Sequence, residues 1–244
     1  MNEAIVIEHL TKRFGNRVAV NDLTLRVAEG ELLALLGLNG AGKSTTVRLL
    51  SCLCRADAGE AWVYGKYISR EQEEVKALIG VSPQESATAQ NLTVHENLEL
   101  LARLHGMDRV RAMEKVTELE RIFSLDKVRS QKSKTLSGGW QRRLSIAMAL
   151  VSTPKVLFLD EPTLGLDVLA RRELWDFIRS LKGKMTVILT THYLEEAEML
   201  ADRVAIMAEG RLCALGTVAE LKVRTACQTF EDAFVTLAKG GTER

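Results

Sequence analysis

Along the opening third of the chain, apolar residues come in short runs broken by turn formers. Residues 4–10 are dominated by Ala, Ile, Val and Leu and predict a strand. Over residues 23–27, Leu23, Leu25 and Val27 alternate with Thr24 and Arg26, the period of a strand with one buried face. Glu29-Gly30 marks a turn, and residues 32–36 form an unbroken apolar run suited to a strand covered on both faces. A Gly-rich segment and a helix to about Leu53 follow, and residues 62–64 and 79–82 predict two further short strands.

The pattern turns helical from about residue 85 to 152. Thr93 and Glu96 have the spacing of a capping box, and Val94, Leu98, Leu101 and Ala102 then recur at helical spacing. Val116, Leu119, Ile122 and Phe123 give a second amphipathic stretch. Strands are predicted again over 156–159 and 185–189, with a helix over 169–181 between them. Residues 202–207 and 211–215 flank a Glu-Gly turn and predict a hairpin. Two short helices, the first opened by a capping box at Thr217 and Glu220, and a frayed tail over 239–244 complete the chain. The expected fold is α/β, with a mostly parallel sheet, an antiparallel region near the N-terminus and an inserted helical subdomain. The expected division is 1–84 and 153–225 for the core, about 85–152 for the helical subdomain, and about 226–244 for a C-terminal helix and tail.

Bulk composition narrows the classes. The 244 residues are 46% hydrophobic and 27% charged, with 33 Lys+Arg against 32 Asp+Glu and a net charge of +1. That balance gives no global field to steer the chain onto nucleic acid, which is not an expected partner. Cys52, Cys54, Cys213 and Cys227 lack the spacing of a zinc site or a disulfide framework and read as reduced thiols. No signal peptide is expected, and no stretch approaches the ~20 apolar residues a membrane-spanning helix needs.

Three segments carry chemistry. Gly37, Leu38, Asn39, Gly40, Ala41, Gly42, Lys43 and Ser44 fit G-x-x-x-x-G-K-[ST], the P-loop, placed after an apolar strand and before a helix. Backbone N–H groups of such a loop cradle phosphates at a helix N-terminus, Lys43 can reach the β- and γ-phosphates, and the Ser44 hydroxyl suits Mg²⁺. The nucleotide-binding set extends to Thr45. Residues 156–159 then deliver Asp160 and Glu161 to the C-terminal edge of a buried sheet, Asp160 suited to the Mg²⁺ site and Glu161 to orienting or deprotonating water. Ser137, Gly138 and Gly139 open a helix whose apolar face runs Leu144, Ala147, Met148 and Val151, a second anion-binding helix N-terminus with Ser137 as N-cap.

Taken in order along nearly the whole chain, these motifs resemble the ATP-binding subunits of ABC transporters, whose signature is Leu-Ser-Gly-Gly-Gln. The resemblance implies further roles: Phe14 stacking on adenine, Gln84 touching Mg²⁺ and sensing a permease, Asp167 in the D-loop, and His192 contacting the γ-phosphate. It implies a P-loop NTPase (RecA-like) core and ATP and Mg²⁺ as ligands, with Lys43, Gln84, Glu161 and His192 catalytic and Ser44, Gln84 and Asp160 on the metal. Partners are then a second ABC subunit, identical or not, packed head to tail so that Ser137, Gly138 and Gly139 act on the partner's ATP, together with a separate integral-membrane permease. The implied place is cytoplasmic, peripheral on the cytoplasmic face of the cell membrane. Two positions depart from the usual pattern, Trp140 for the last signature Gln and Phe14 for Tyr; neither removes a phosphate ligand.

The run from Gly138 to Ala147, the segment 215–222 and residues 229–235 look like bacterial exporter ATPases of the daunorubicin-resistance, sodium-extrusion and lipid-moving type. A non-transport ABC ATPase, such as one serving cluster assembly, is the alternative. His9, His95 and His105 read as surface or helix-end residues, Trp62 and Trp175 as packing, and the pairs Lys12/Arg13 and Arg142/Arg143 as solvated faces.

Overall fold

The computed structural model describes residues 2–85 and 87–240. The alternation of the opening residues extends well beyond the predicted runs: β1 (Glu3–Phe14) and β2 (Arg17–Ala28) are 12 residues each and pair antiparallel, closing at Phe14 opposite Arg17. The predicted strand stops at Leu10 because the polar residues Thr11, Lys12 and Arg13 follow it; β1 runs on through them, with a register shift between Ile7 and Leu10 where His9 has a positive φ of 53°. With β4 (Ala58–Val63) and β5 (Lys66–Tyr67) these strands make an antiparallel sheet ordered β2-β1-β4-β5.

The second sheet holds β3 (Leu32–Leu36), β6 (Ile79–Ser82), β7 (Val156–Asp160), β8 (Thr186–Thr191), β9 (Arg203–Ala208) and β10 (Arg211–Gly216), ordered β10-β9-β3-β8-β7-β6. Every neighbouring pair is parallel except β9 and β10, the predicted hairpin. All residues of β3, β7 and β8 are buried, which is why residues 32–36, 156–159 and 187–189 read as continuous apolar runs. Successive side chains point to opposite layers. Val156 and Phe158 join the core shared with the antiparallel sheet and α1 (Lys43–Leu50), whereas Leu157 and Leu159 join the core shared with the helices.

Residues 83–155 lie between β6 and β7, which are neighbours in the sheet. This inserted stretch contains α3 (Val94–Leu104), α4 (Arg109–Ile122) and α5 (Gly138–Ala149). The Thr93 capping box forms, each partner holding the other's backbone N–H, and Val94, Leu98 and Ala102 are buried. In α4, Val116 and Leu119 are buried but Ile122 is 49% exposed, because the chain leaves the helix at Phe123, whose ring packs 4.3 Å from that of Phe177. The helix α6 (Val168–Ser180) follows β7, and α7 (Leu194–Leu200) follows β8.

Two helices were not read from sequence, α2 (Gln72–Leu78) and α7. Each spans only seven residues, too few to establish a helical period. The C-terminal pair, α8 (Val218–Thr225), with its Thr217 capping box, and α9 (Phe230–Gly240), packs on β9 and β10 through Leu221, Phe230 and Ala233. Of the predicted tail, Lys239 belongs to α9, and residues 241–244 lie outside the described residues. Among the described residues no helix is long and apolar enough to cross a membrane.

Candidate functional site

Strands β3, β8, β7 and β6 lie side by side and parallel, so the four segments leaving their C-terminal ends emerge along one edge. Those segments carry the P-loop, His192, Glu161 and Gln84, residues far apart in sequence that meet because of this strand order. They border a cavity of about 470 Å³ also lined by Phe14, Asn39, Gly40, Ala41, Gly42, Lys43, Ser44 and Thr45.

The P-loop reaches its shape through glycine at two positions that admit nothing larger. A Cβ on Gly37 would lie 2.3 Å from the Met207 carbonyl oxygen, and one on Gly42 would lie 2.4 Å from that of Ala19. Gly42 also has φ 102° and caps α1 with no side chain, so the first-turn N–H groups stay open toward the cavity. The Lys43 ammonium donates to the carbonyls of Gly37 (2.7 Å) and Leu38 (3.3 Å) and lies 3.4 Å from Glu161 Oε1. Gly37 lies under the loop, with its carbonyl turned to Lys43, and Leu38 is 68% exposed; neither lines the cavity.

Asp160 sits beneath Ser44 and accepts from its hydroxyl at 2.9 Å and from Thr190 Oγ1. Glu161 is 6% exposed and has a positive φ of 49°, a strained backbone for a residue with a side chain. Its N–H donates to both the carbonyl and the hydroxyl of Thr190, each at 3.1 Å, and its Oε2 is 2.7 Å from His192 Nδ1. Phe14 is 47% exposed at the end of β1, with the Lys12 ammonium 5.3 Å from its ring centre. The hydroxyl of Ser44, the carboxylate of Asp160 and the amide of Gln84 are hard oxygen donors of the kind Mg²⁺ takes.

The remaining predicted residues sit elsewhere. Ser137, Gly138, Gly139 and Asp167 line a separate shallow cavity of about 370 Å³ with Gly165, Leu169 and Ala170. Ser137 occupies the N-cap position of α5, but its side chain makes no capping hydrogen bond, which leaves the hydroxyl for another partner. Asp167 caps α6, accepting from Leu169 N (3.0 Å) and Ala170 N (2.9 Å). Trp140 is half-buried against the helical core, with the Arg143 guanidinium 5.0 Å from its ring.

One expectation is overturned. Arg142 is not a solvated basic residue: it is 6% exposed and donates to three main-chain carbonyls, those of Asp160, Pro162 and Pro83. Burial lowers its pKa to about 10, which still leaves it charged at neutral pH. Sequence reasoning also passed over Arg17, whose guanidinium holds the Gly40 carbonyl at 3.3 Å, and Leu164, both in the nucleotide-sized cavity. Glu196, fully buried on α7, accepts from Thr163 Oγ1 (2.9 Å) and Trp175 Nε1 (3.1 Å). Nothing local marks it, since Glu is common on solvent-facing helices; Trp175 packs, as expected.

Residues 20–164 match the family profile described as ABC transporter. The chain belongs to the ABC transporter family. It is an ABC-type ATPase domain. It is 46% identical to the daunorubicin resistance ATP-binding protein DrrA3 of Streptomyces coeruleorubidus, covering 91% of this chain and 71% of that one. Identity to the phospholipid-transporting ATPase ABCA3 of Mus musculus is 43%, covering 89% of this chain but only 13% of that protein. The chain thus spans about an eighth of the length of that large ABC relative. A solved ATP-binding subunit of an ABC transporter superposes with a TM-score of 0.86 at 28% identity, covering 96% of this chain and 99% of that one. A dimeric post-hydrolysis ATP-binding cassette bound to ADP and Pi shares the fold, with a TM-score of 0.79 at 24% identity over 87% of this chain and 98% of that one.

Proposed function

We propose that two such ABC domains pack head to tail, hydrolyse Mg-ATP at composite sites and drive export through a separate membrane permease from the cytoplasmic face. The observation that carries the reading is the separation of two half-sites: the P-loop cavity holds Lys43, Glu161 and His192, and the Ser137–Asp167 surface is a different cavity of the same chain. A second copy, or a related subunit, would supply the missing half.

In this reading the open N-terminus of α1 and Lys43 hold the phosphates, and the exposed ring of Phe14 stacks on the adenine. Ser44, Gln84 and Asp160 would hold Mg²⁺, which when bound neutralises charge on the β- and γ-phosphate oxygens. Glu161 accepts a proton from water as the water oxygen bonds to the γ-phosphorus; the bond from that phosphorus to the bridging oxygen breaks, and ADP leaves with its electron pair. His192 holds Glu161 Oε2 and lies where it can meet the γ-phosphate. Signature donors from the other subunit complete the cage, so that the γ-phosphate bridges the two halves and its loss releases them.

The division into a core over 1–84 and 153–225, a helical arm over about 85–152 and a C-terminal part from about 226 belongs to the same proposal. An apolar groove of about 390 Å³ beside the Gln84 segment, lined by Val81, Pro83, Ala87, Leu100, Leu104 and Met148, is the surface offered to the permease. The identity with daunorubicin-resistance proteins supports the exporter reading and an amphipathic or apolar cargo. Replacement of Glu161 by Gln tests the chemistry: nucleotide affinity is expected to persist while turnover falls by about 1000-fold or more. Equal turnover in both proteins would remove Glu161 as the base.

A further inference from the structure

The signature helix is tied to the catalytic segment by one side chain. Arg142 lies on α5, five residues after Ser137, and its guanidinium is buried beneath the ends of β6 and β7. Its Nε donates to the Pro162 carbonyl at 2.8 Å, and one terminal nitrogen donates to the Asp160 carbonyl at 2.6 Å. These are the carbonyls on either side of Glu161. The other terminal nitrogen donates to the Pro83 carbonyl at 2.6 Å, immediately before Gln84.

We propose that Arg142 is a positioning residue, a guanidinium clamp that fixes the strained backbone of Glu161 and the Gln84 segment to the signature helix. The proposal rests on the hydrolytic reading above. Glu161 keeps a positive φ of 49° only while its surroundings enforce it, and two carbonyls held from one side by a planar fork, with its own N–H held by Thr190 from the other, do so. Arginine is required by geometry. Three carbonyls from two loops are met by three nitrogens of one rigid plane, whereas the single nitrogen of Lys cannot span them. The clamp spans 18 to 59 residues of sequence, so a shift of α5 against a partner's nucleotide is passed to Glu161 and Gln84 together.

The neighbouring Arg143 turns the opposite way, donating to the Phe123 carbonyl and pairing with Glu173. The clamp is therefore particular to position 142 and not a general effect of a basic pair on this helix.

The test is Arg142→Lys in the full chain, with kcat, KM, nucleotide affinity by equilibrium binding and thermal stability measured together. Val116→Ala, which opens a cavity at a buried position of α4 that touches none of the three carbonyls, serves as the destabilised control. The expected result is a fall in kcat of about 30- to 100-fold with KM and nucleotide affinity within about twofold. The control is expected to keep its kcat. If Arg142→Lys does not fold, Arg142→Gln, which keeps an amide donor for one carbonyl, replaces it; failure of both to fold would make Arg142 a structural residue and overturn the proposal. A kcat equal to that of the unsubstituted chain, or a loss shared by the control, would also overturn it. No turnover in the unsubstituted chain would instead defeat the hydrolytic reading, and the clamp with it.

Discussion

Replacing Lys43 by Met should destabilise the protein even before any nucleotide is added. The Lys43 ammonium lies 3.4 Å from Glu161 Oε1, and the two side chains are 5% and 6% exposed. At an effective dielectric of about 20, that separation corresponds to an attraction of about 5 kcal/mol. Both charges lost hydration to be there, so the net value of the pair is much smaller. Removing only the lysine, however, leaves Glu161 buried without its cation, a change that costs about 3–5 kcal/mol. His192 still holds the other oxygen at 2.7 Å, which places the expectation at the lower end, about 3 kcal/mol. In a chain of this size that is a fall in Tm of about 6–12 °C. With Glu161→Gln as background the carboxylate is gone, and the same Lys43→Met change should cost about 1 kcal/mol. Thermal and urea denaturation of the four proteins without nucleotide gives the coupling directly. A coupling below about 0.5 kcal/mol, or a Lys43→Met protein that melts with the parent, would refute the electrostatic account of this contact.

Gly42→Ala places a Cβ 2.4 Å from the Ala19 carbonyl oxygen at a φ of 102°, and should lower stability by about 2 kcal/mol and nucleotide affinity by at least about tenfold, read by melting and equilibrium binding. Burial raises the Glu196 carboxyl above its ordinary value of 4.5 against the hydrogen bonds it accepts. The folded chain therefore binds this proton more tightly than the unfolded chain, and its stability falls as pH rises from about 4.5 through the raised value. Glu196→Gln removes that slope: it should melt near the parent at about pH 4 and above it at about pH 8, and a pH-independent difference would contradict the assignment.

Strands buried on both faces were legible as apolar runs, since 32–36 became β3 at the predicted bounds and 156–159 became all but the last residue of β7. Capping boxes at Thr93 and Thr217 were legible because both partners lie within four residues. The P-loop, Asp160 and Glu161 could be read as motifs because each loop carries its own chemistry, whereas His192 is singled out only by the family resemblance. What stayed hidden depends on contacts between distant segments. Arg142 looks like half of a solvated pair until the chain places Pro83 and Asp160, 59 and 18 residues away, around it. Thr190 reads as an ordinary strand residue, yet its hydroxyl joins Asp160 and the Glu161 N–H. No periodicity reports a hydrogen bond made across a sheet.

The head-to-tail composite site is tested most directly by the oligomeric state of Glu161→Gln with and without Mg-ATP, measured by light scattering on a size-exclusion column. The account predicts a monomer alone and a dimer with Mg-ATP, and a monomer in both conditions once Ser137→Arg is added, with nucleotide binding retained. A Ser137→Arg protein that dimerises as before, or a Glu161→Gln protein that stays monomeric at saturating Mg-ATP, would contradict it.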